Sequence, residues 1–139
     1  MSTQIRRLGP DDAALLERVA DGVFDEPVRA DRLAAYLAEP GHVLLVALDE
    51  GVVVGQAAAV IHRHPDKPAE LYVDEVGVAP AFQRRGIATR LLAALFEIGK
   101  GLGCTDSWIA TEADNLPARR LYEGFGAPGE PCMVYLYRL

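Results

Sequence analysis

Apolar residues along the chain fall into two periods, and the change from one to the other marks the elements. Short β-branched or alternating runs predict strands at Thr3 to Leu8, His42 to Leu48, Val52 to Ile61, Leu71 to Ala79, Thr105 to Thr111 and Val134 to Arg138. Three- and four-residue steps predict helices between them. Asp11 or Asp12 caps a first one that includes Leu15, Leu16 and Val19. A second spans Arg29 to Ala38 with Leu33, Tyr36 and Leu37 on its apolar side, and Pro40-Gly41 stops it. The longest runs from about Arg85 to Lys100, where Ile87, Ala88, Leu91, Leu92, Leu95 and Phe96 make one face. A last helix opens at Asp114-Asn115, with Pro117 in its first turn, where a missing N–H matters little. Asp49-Glu-Gly51 turns one strand into the next as a hairpin.

The order β-α-α-β-β-β-α-β-α-β predicts an α/β chain: a central mixed, mostly antiparallel sheet flanked by about four helices. At 139 residues, without repeat, linker or low-complexity tract, residues 1–139 read as one domain. Gly77 stands inside a strand, which predicts a bulge or a close approach by another backbone there. Pro80 ends that strand, because a ring nitrogen cannot donate to a ladder. The turn Ala81 to Gly86 then feeds the long helix. A helix N-terminus leaves unpaired N–H groups and a partial positive charge, and Arg84 and Arg85 add full charges, so this is an anion site.

Composition narrows the partners. Twenty acidic side chains against 14 basic ones leave a net charge of −6, which disfavours nucleic acid and suits a cationic substrate. No apolar run is long enough for a membrane span, and the N-terminus lacks the apolar segment of a signal peptide, so cytoplasm is expected. Cys104 and Cys132 lack metal-ligand spacing, and no metal is expected.

Two motifs then carry a resemblance. Gln83-Arg-Arg-Gly86-Ile-Ala88 matches the acyl-CoA signature Gln/Arg-x-x-Gly-x-Gly/Ala of the GNAT family of N-acetyltransferases. Asn115-Leu-Pro-Ala118-Arg-Arg-Leu-Tyr122 resembles its later signature, although the glycines at 124 and 126 are shifted around Phe125. The resemblance covers most of the chain. It implies acetyl-CoA as donor, with its pyrophosphate on the N–H groups of Gln83, Arg84, Arg85, Gly86, Ile87, Ala88 and Thr89. The pantetheine arm is implied to pair with the backbone of Val76, Gly77 and Val78 and with the Asn115 side chain. Asn115 also reads as a helix cap. Tyr122 is implied to be the acid that protonates the departing thiolate. A small-molecule amine is the implied acceptor, and a homodimer is a common state of such domains.

For the base that takes the amine's proton, strand alternation places Glu75 with Leu71 and Val73 on an apolar face, where desolvation raises its pKa. Asp74, on the opposite face beside Tyr72 and Val76, is the alternative. The three histidines read as solvated. Arg7-Leu-Gly-Pro-Asp11, Glu70-Leu-Tyr-Val73, Arg84 to Thr89 and Ala113-Asp114 look most like the aminoglycoside 3-N-acetyltransferases. Such polycations would suit a pocket with Asp74, Glu75, Asp114, Asp25 and Glu26. Two other readings stand beside this one: acetylation of another amine (a protein N-terminus, a lysine or a polyamine), or a non-catalytic acyl-CoA-binding module.

Overall fold

The computed structural model describes residues 3–139. Its residues divide into two compact units, one ending at Ile109 and the other Ala110–Leu139.

In the first unit, five strands form one sheet in chain order: β1 (Gln4–Arg7), β2 (His42–Asp49), β3 (Val52–His62), β4 (Glu70–Val78) and β5 (Asp106–Ile109). The first four pair antiparallel and β5 joins β4 in parallel, so the expected mixed, mostly antiparallel sheet is present. β2 and β3 are apolar on both faces because the sheet is covered on both sides. On one side lies α2 (Ile87–Gly101), which buries Ile87, Leu91, Leu92 and Leu95. Glycines let it press close: a Cβ at Gly55 would come within 3.2 Å of Ile87, and one at Gly99 within 3.1 Å of Leu71. On the other side α1 (Ala30–Ala38) and the preceding segment bring Leu16, Val23 and Leu33 against Leu44, Val46 and Ala58.

The first predicted helix is a 3-10 helix, Pro10–Glu17. Its N-cap is Gly9 rather than Asp11 or Asp12, and Asp12, inside the first turn, accepts the Gly9 N–H at 2.7 Å. The turn cannot propagate because the following residues are taken by β3. The Val53 N–H donates to Arg18 O at 2.8 Å and the Ala20 N–H to Val53 O at 2.9 Å. α1 and α2 begin one and two residues later than predicted.

The second unit holds α3 (Leu116–Glu123), started by Asn115 as its cap. The predicted strand Val134 to Arg138 does not form; among the described residues, 124–139 contain neither helix nor strand. Val134, Tyr135, Leu136 and Tyr137 are exposed. Alternation favours a strand only where a neighbour completes the ladder, and none does so there. Among the described residues no helix is long and apolar enough to cross a membrane.

Gly77 is a close approach and not a bulge. A Cβ there would stand 2.3 Å from the Val23 carbonyl oxygen, which lies over the strand at that point. Gly77→Ala is expected to destabilise the protein by about 1–3 kcal/mol through overpacking. A lower urea midpoint with an unchanged m-value would register this; an unchanged midpoint would contradict it.

Candidate active site

The site is organised by an irregularity in β4. Val73 pairs with Ala59, but Glu75, not Asp74, pairs with Ala58. Asp74 is therefore an extra residue, a β-bulge, and every side chain beyond it changes face. Glu75 does not share the face of Leu71 and Val73, as simple alternation predicts. It lies with Ala58 on the face covered by α1, while Val76 takes the α2 face. Nor do the two carboxylates oppose one another, since both Asp74 and Glu75 act electrostatically on Tyr36 of α1.

Around this bulge the charges are held in tension. The Glu75 carboxyl is raised above the ordinary carboxylate range, first by burial and then by Asp25 and Asp74. A hydrogen bond from the Gln56 side chain opposes that shift. Asp74 reaches solvent, yet partial burial raises it too, while its own backbone N–H and the nearby His42 pull it down. Burial pushes the Tyr36 hydroxyl up, and the two carboxylates add to it. The predicted desolvation of Glu75 is therefore present, on the other face of the strand.

Three further side chains belong here. Tyr36 stacks on His42 with ring centroids 4.3 Å apart, and its hydroxyl is 3.4 Å from Val43 O. The His42 Nδ1 lies 3.1 Å from the Tyr36 carbonyl, which can only accept. The Nδ1 therefore carries a proton and donates it to that carbonyl. His42 is not a solvated histidine. His64 also has a neighbour, with Nε2 at 3.0 Å from Glu70 Oε1. Gln56 was visible in the sequence as a lone polar residue in an apolar strand; Tyr36 and His42, across a Pro-Gly turn, carry no comparable signal.

Asp25 and Glu26 lie in the segment that joins the 3-10 helix to α1. With Glu17 and Asp21 they line a cleft of about 380 Å³ whose apolar wall includes Phe24 and Val28. Asp25 is thus near enough to raise Glu75, while Glu26 belongs to the cleft alone.

The turn into α2 forms where the sequence places it. After β4, residues Pro80–Phe82 make a 3-10 turn, and the Gln83 Nε2 donates to Val78 O at 3.2 Å. Arg84 (φ 64°) and Gly86 (φ 77°) are both left-handed, which turns the chain into α2. The Arg85 guanidinium sits 4.8 Å from the Phe82 ring centre. In the first turn the N–H groups of Ile87, Ala88 and Thr89 have no intrahelical acceptor. A Cβ on Gly86 would meet nothing within 4 Å, so the cradle is open. Beside it, β5 pairs only with Glu70 to Val73, which leaves the β4 edge at Val76, Gly77 and Val78 without that neighbour. A diphosphate on the cradle and an amide-bearing arm along this edge both fit coenzyme A.

In the second unit, Asn115 Oδ1 accepts from the Ala118 N–H at 3.2 Å, the capping role. Tyr122 is partly buried, and desolvation raises its hydroxyl. Asp114 is exposed just before the cap.

Residues 13–127 match the model of the acetyltransferase (GNAT) family. Aminoglycoside N(6′)-acetyltransferase type 1 of Salmonella typhimurium is 31% identical over 122 residues, covering 84% of this chain and 73% of that protein. The N-alpha-acetyltransferase RimI of Mycobacterium tuberculosis is 34% identical over 105 residues, 75% of this chain and 63% of its own length. Among solved structures, an aminoglycoside acetyltransferase from an uncultured soil metagenomic sample superposes with a TM-score of 0.83 at 25% identity, covering all of both chains. An aminoglycoside N-acetyltransferase solved with CoA superposes at 0.77 and 22% identity, covering 99% of this chain and 95% of its own, which supports the fold. The first of these relatives is named for the 6′ position, so the 3-N subtype that the resemblance implied is not supported. The chain belongs to the acetyltransferase (GNAT) family and is an acetyl-CoA-dependent N-acetyltransferase.

Proposed function

We propose that the acceptor is an aminoglycoside and that its 6′-amino group is acetylated. The observation that carries this reading is the pair of carboxylates brought to one face by the bulge, with Asp25 close by. Such a cluster is destabilised alone and is neutralised by a polycation. The 31% identity to an aminoglycoside N(6′)-acetyltransferase supports the same class and favours the 6′ position.

The residues divide the work as follows. Amines are protonated near neutral pH, so the ammonium must lose a proton before its nitrogen can attack. Glu75 takes that proton, since burial and its acidic neighbours bring its pKa upward toward the working range. Asp74, Asp25 and Glu26 hold the remaining charges of the acceptor. Bound acetyl-CoA supplies the acetyl group as a thioester, already activated toward amines. The cradle from Gln83 to Thr89 and the β4 edge at Val76 to Val78 hold it. Tyr122 keeps its proton at neutral pH because burial raises it, the state required of a donor to a thiolate.

A thiol-release assay over a panel of amines tests the acceptor. An aminoglycoside with a 6′-amine should turn over, and its 6′-hydroxyl counterpart should not. Turnover confined to peptide N-termini or polyamines would sink the reading.

Glu75→Gln should lower kcat/KM by about 10²–10⁴. Its effect on stability should have the opposite sign. The folded-state pKa of Glu75 is raised, so stability is lost as pH climbs from the unfolded value through the folded one. The variant should therefore melt about 1–3 °C above the parent at neutral pH, a modest gain because the group is partly solvated. The difference should close as pH falls below the carboxylate range. A lower melting temperature at neutral pH would contradict the charge assignment.

Gly86→Ala places a methyl group where the cradle is open and strains a left-handed residue. Calorimetry should show CoA binding weakened about tenfold, near 1.4 kcal/mol. Undiminished affinity would remove the cradle from coenzyme binding.

A further inference from the structure

Among the described residues Gln56 is the buried polar side chain of the core, with no exposed surface. Its Nε2 lies 3.4 Å from the Val23 carbonyl, and its Oε1 has no hydrogen-bond partner. β3 pairs Gln56 with Gly77 and Ala58 with Glu75, so Gln56 and Glu75 share one face at adjacent positions. The bare α-carbon of Gly77 clears the way for Val23. A Cβ there would be 2.3 Å from the Val23 oxygen and 3.5 Å from the Gln56 Nε2. A leucine or methionine would fill the same volume but would leave the Val23 oxygen without this donor, so the amide is there for its polar contacts and not for packing alone.

We propose that Gln56 is a positioning residue that joins the Val23 carbonyl to the Glu75 carboxylate, so that one amide holds both the acceptor-lining segment and the base. The two NH₂ protons suit two acceptors that come from different elements. Glu75 gains a donor to its ionised form, and residues 19–28, which carry Asp25 and Glu26, gain an anchor on the sheet. A change in the seating of that segment thereby reaches the base directly. This rests on Glu75 being the base.

The experiment measures kcat/KM against pH at saturating acetyl-CoA for the parent, Gln56→Leu, Gln56→Glu and Glu75→Gln, together with amide hydrogen exchange across residues 19–28. Loss of a donor to the charged form raises the pKa of Glu75. In Gln56→Leu the acidic limb should move up by about one pH unit, with the high-pH plateau largely retained. Gln56→Glu, an isostere that tolerates the same packing, should move it further, because a second carboxylate repels the first. KM for acetyl-CoA should not change, and exchange at Val23 to Glu26 should quicken in both variants. Glu75→Gln should abolish the limb. If it does so while both Gln56 variants keep the parent limb and the parent exchange rates, the positioning role is wrong and the base stands. A limb that survives Glu75→Gln removes the base assignment, and the role of Gln56 falls with it.

Discussion

One extra residue in one strand decides which face of the sheet carries the acidic side chains of β4. The pairing of β4 with β3 slips at Asp74, and a slip of one residue exchanges the two faces of everything beyond it. Before the slip β4 directs Leu71 and Val73 into the core under α2; after it, Glu75 emerges toward α1. A regular strand would have placed that carboxylate beneath α2, among leucines and without a donor. The bulge therefore makes a partly buried, ionisable Glu75 compatible with a packed sheet.

The close approach at Gly77 works with it. Two residues past Glu75, the strand has no side chain on the α1 face, and the Val23 backbone fills that space. Val23 brings with it the segment that carries Asp25 and Glu26. Acidic groups from two distant parts of the sequence thus meet on one face, and Asp25 and Asp74 raise the proton affinity of Glu75. Such a cluster opposes folding through repulsion and desolvation, and a cationic acceptor would relieve both. The arrangement exchanges some stability for a carboxyl whose proton affinity is raised above the ordinary range.

The coenzyme side depends on a different constraint. The first turn of α2 is pressed onto β3 at Gly55 and is entered through two left-handed residues, Arg84 and Gly86. Its free N–H groups are fixed relative to the end of β4, because the connecting turn is short and is tied back by Gln83. A single strand thereby carries Glu75 at its bulge and leads at its end into the first turn of α2, so the distance between the two is a property of β4.

Much of this was written locally in the chain. Alternating and 3.6-residue periods, together with Pro80, Gly51 and Asn115, place the strands and helices within a residue or two, because caps, turns and ladder breaks are local effects. The cradle was legible for the same reason, since Gln83 to Thr89 makes its anion site from neighbouring backbone. The face of Glu75 was not, because a bulge depends on how two strands settle against each other and leaves no mark in the spacing of β4 itself. The same holds for Tyr36, His42 and Gln56, whose meaning comes from groups far away in sequence, and for residues 134–138, where propensity lacked a partner strand. The chain by itself determined what kinds of element would form and where the turn into α2 would lie. Only the tertiary structure decided which way the carboxylates point, because strand register is fixed by long-range pairing and not by any residue's own preference.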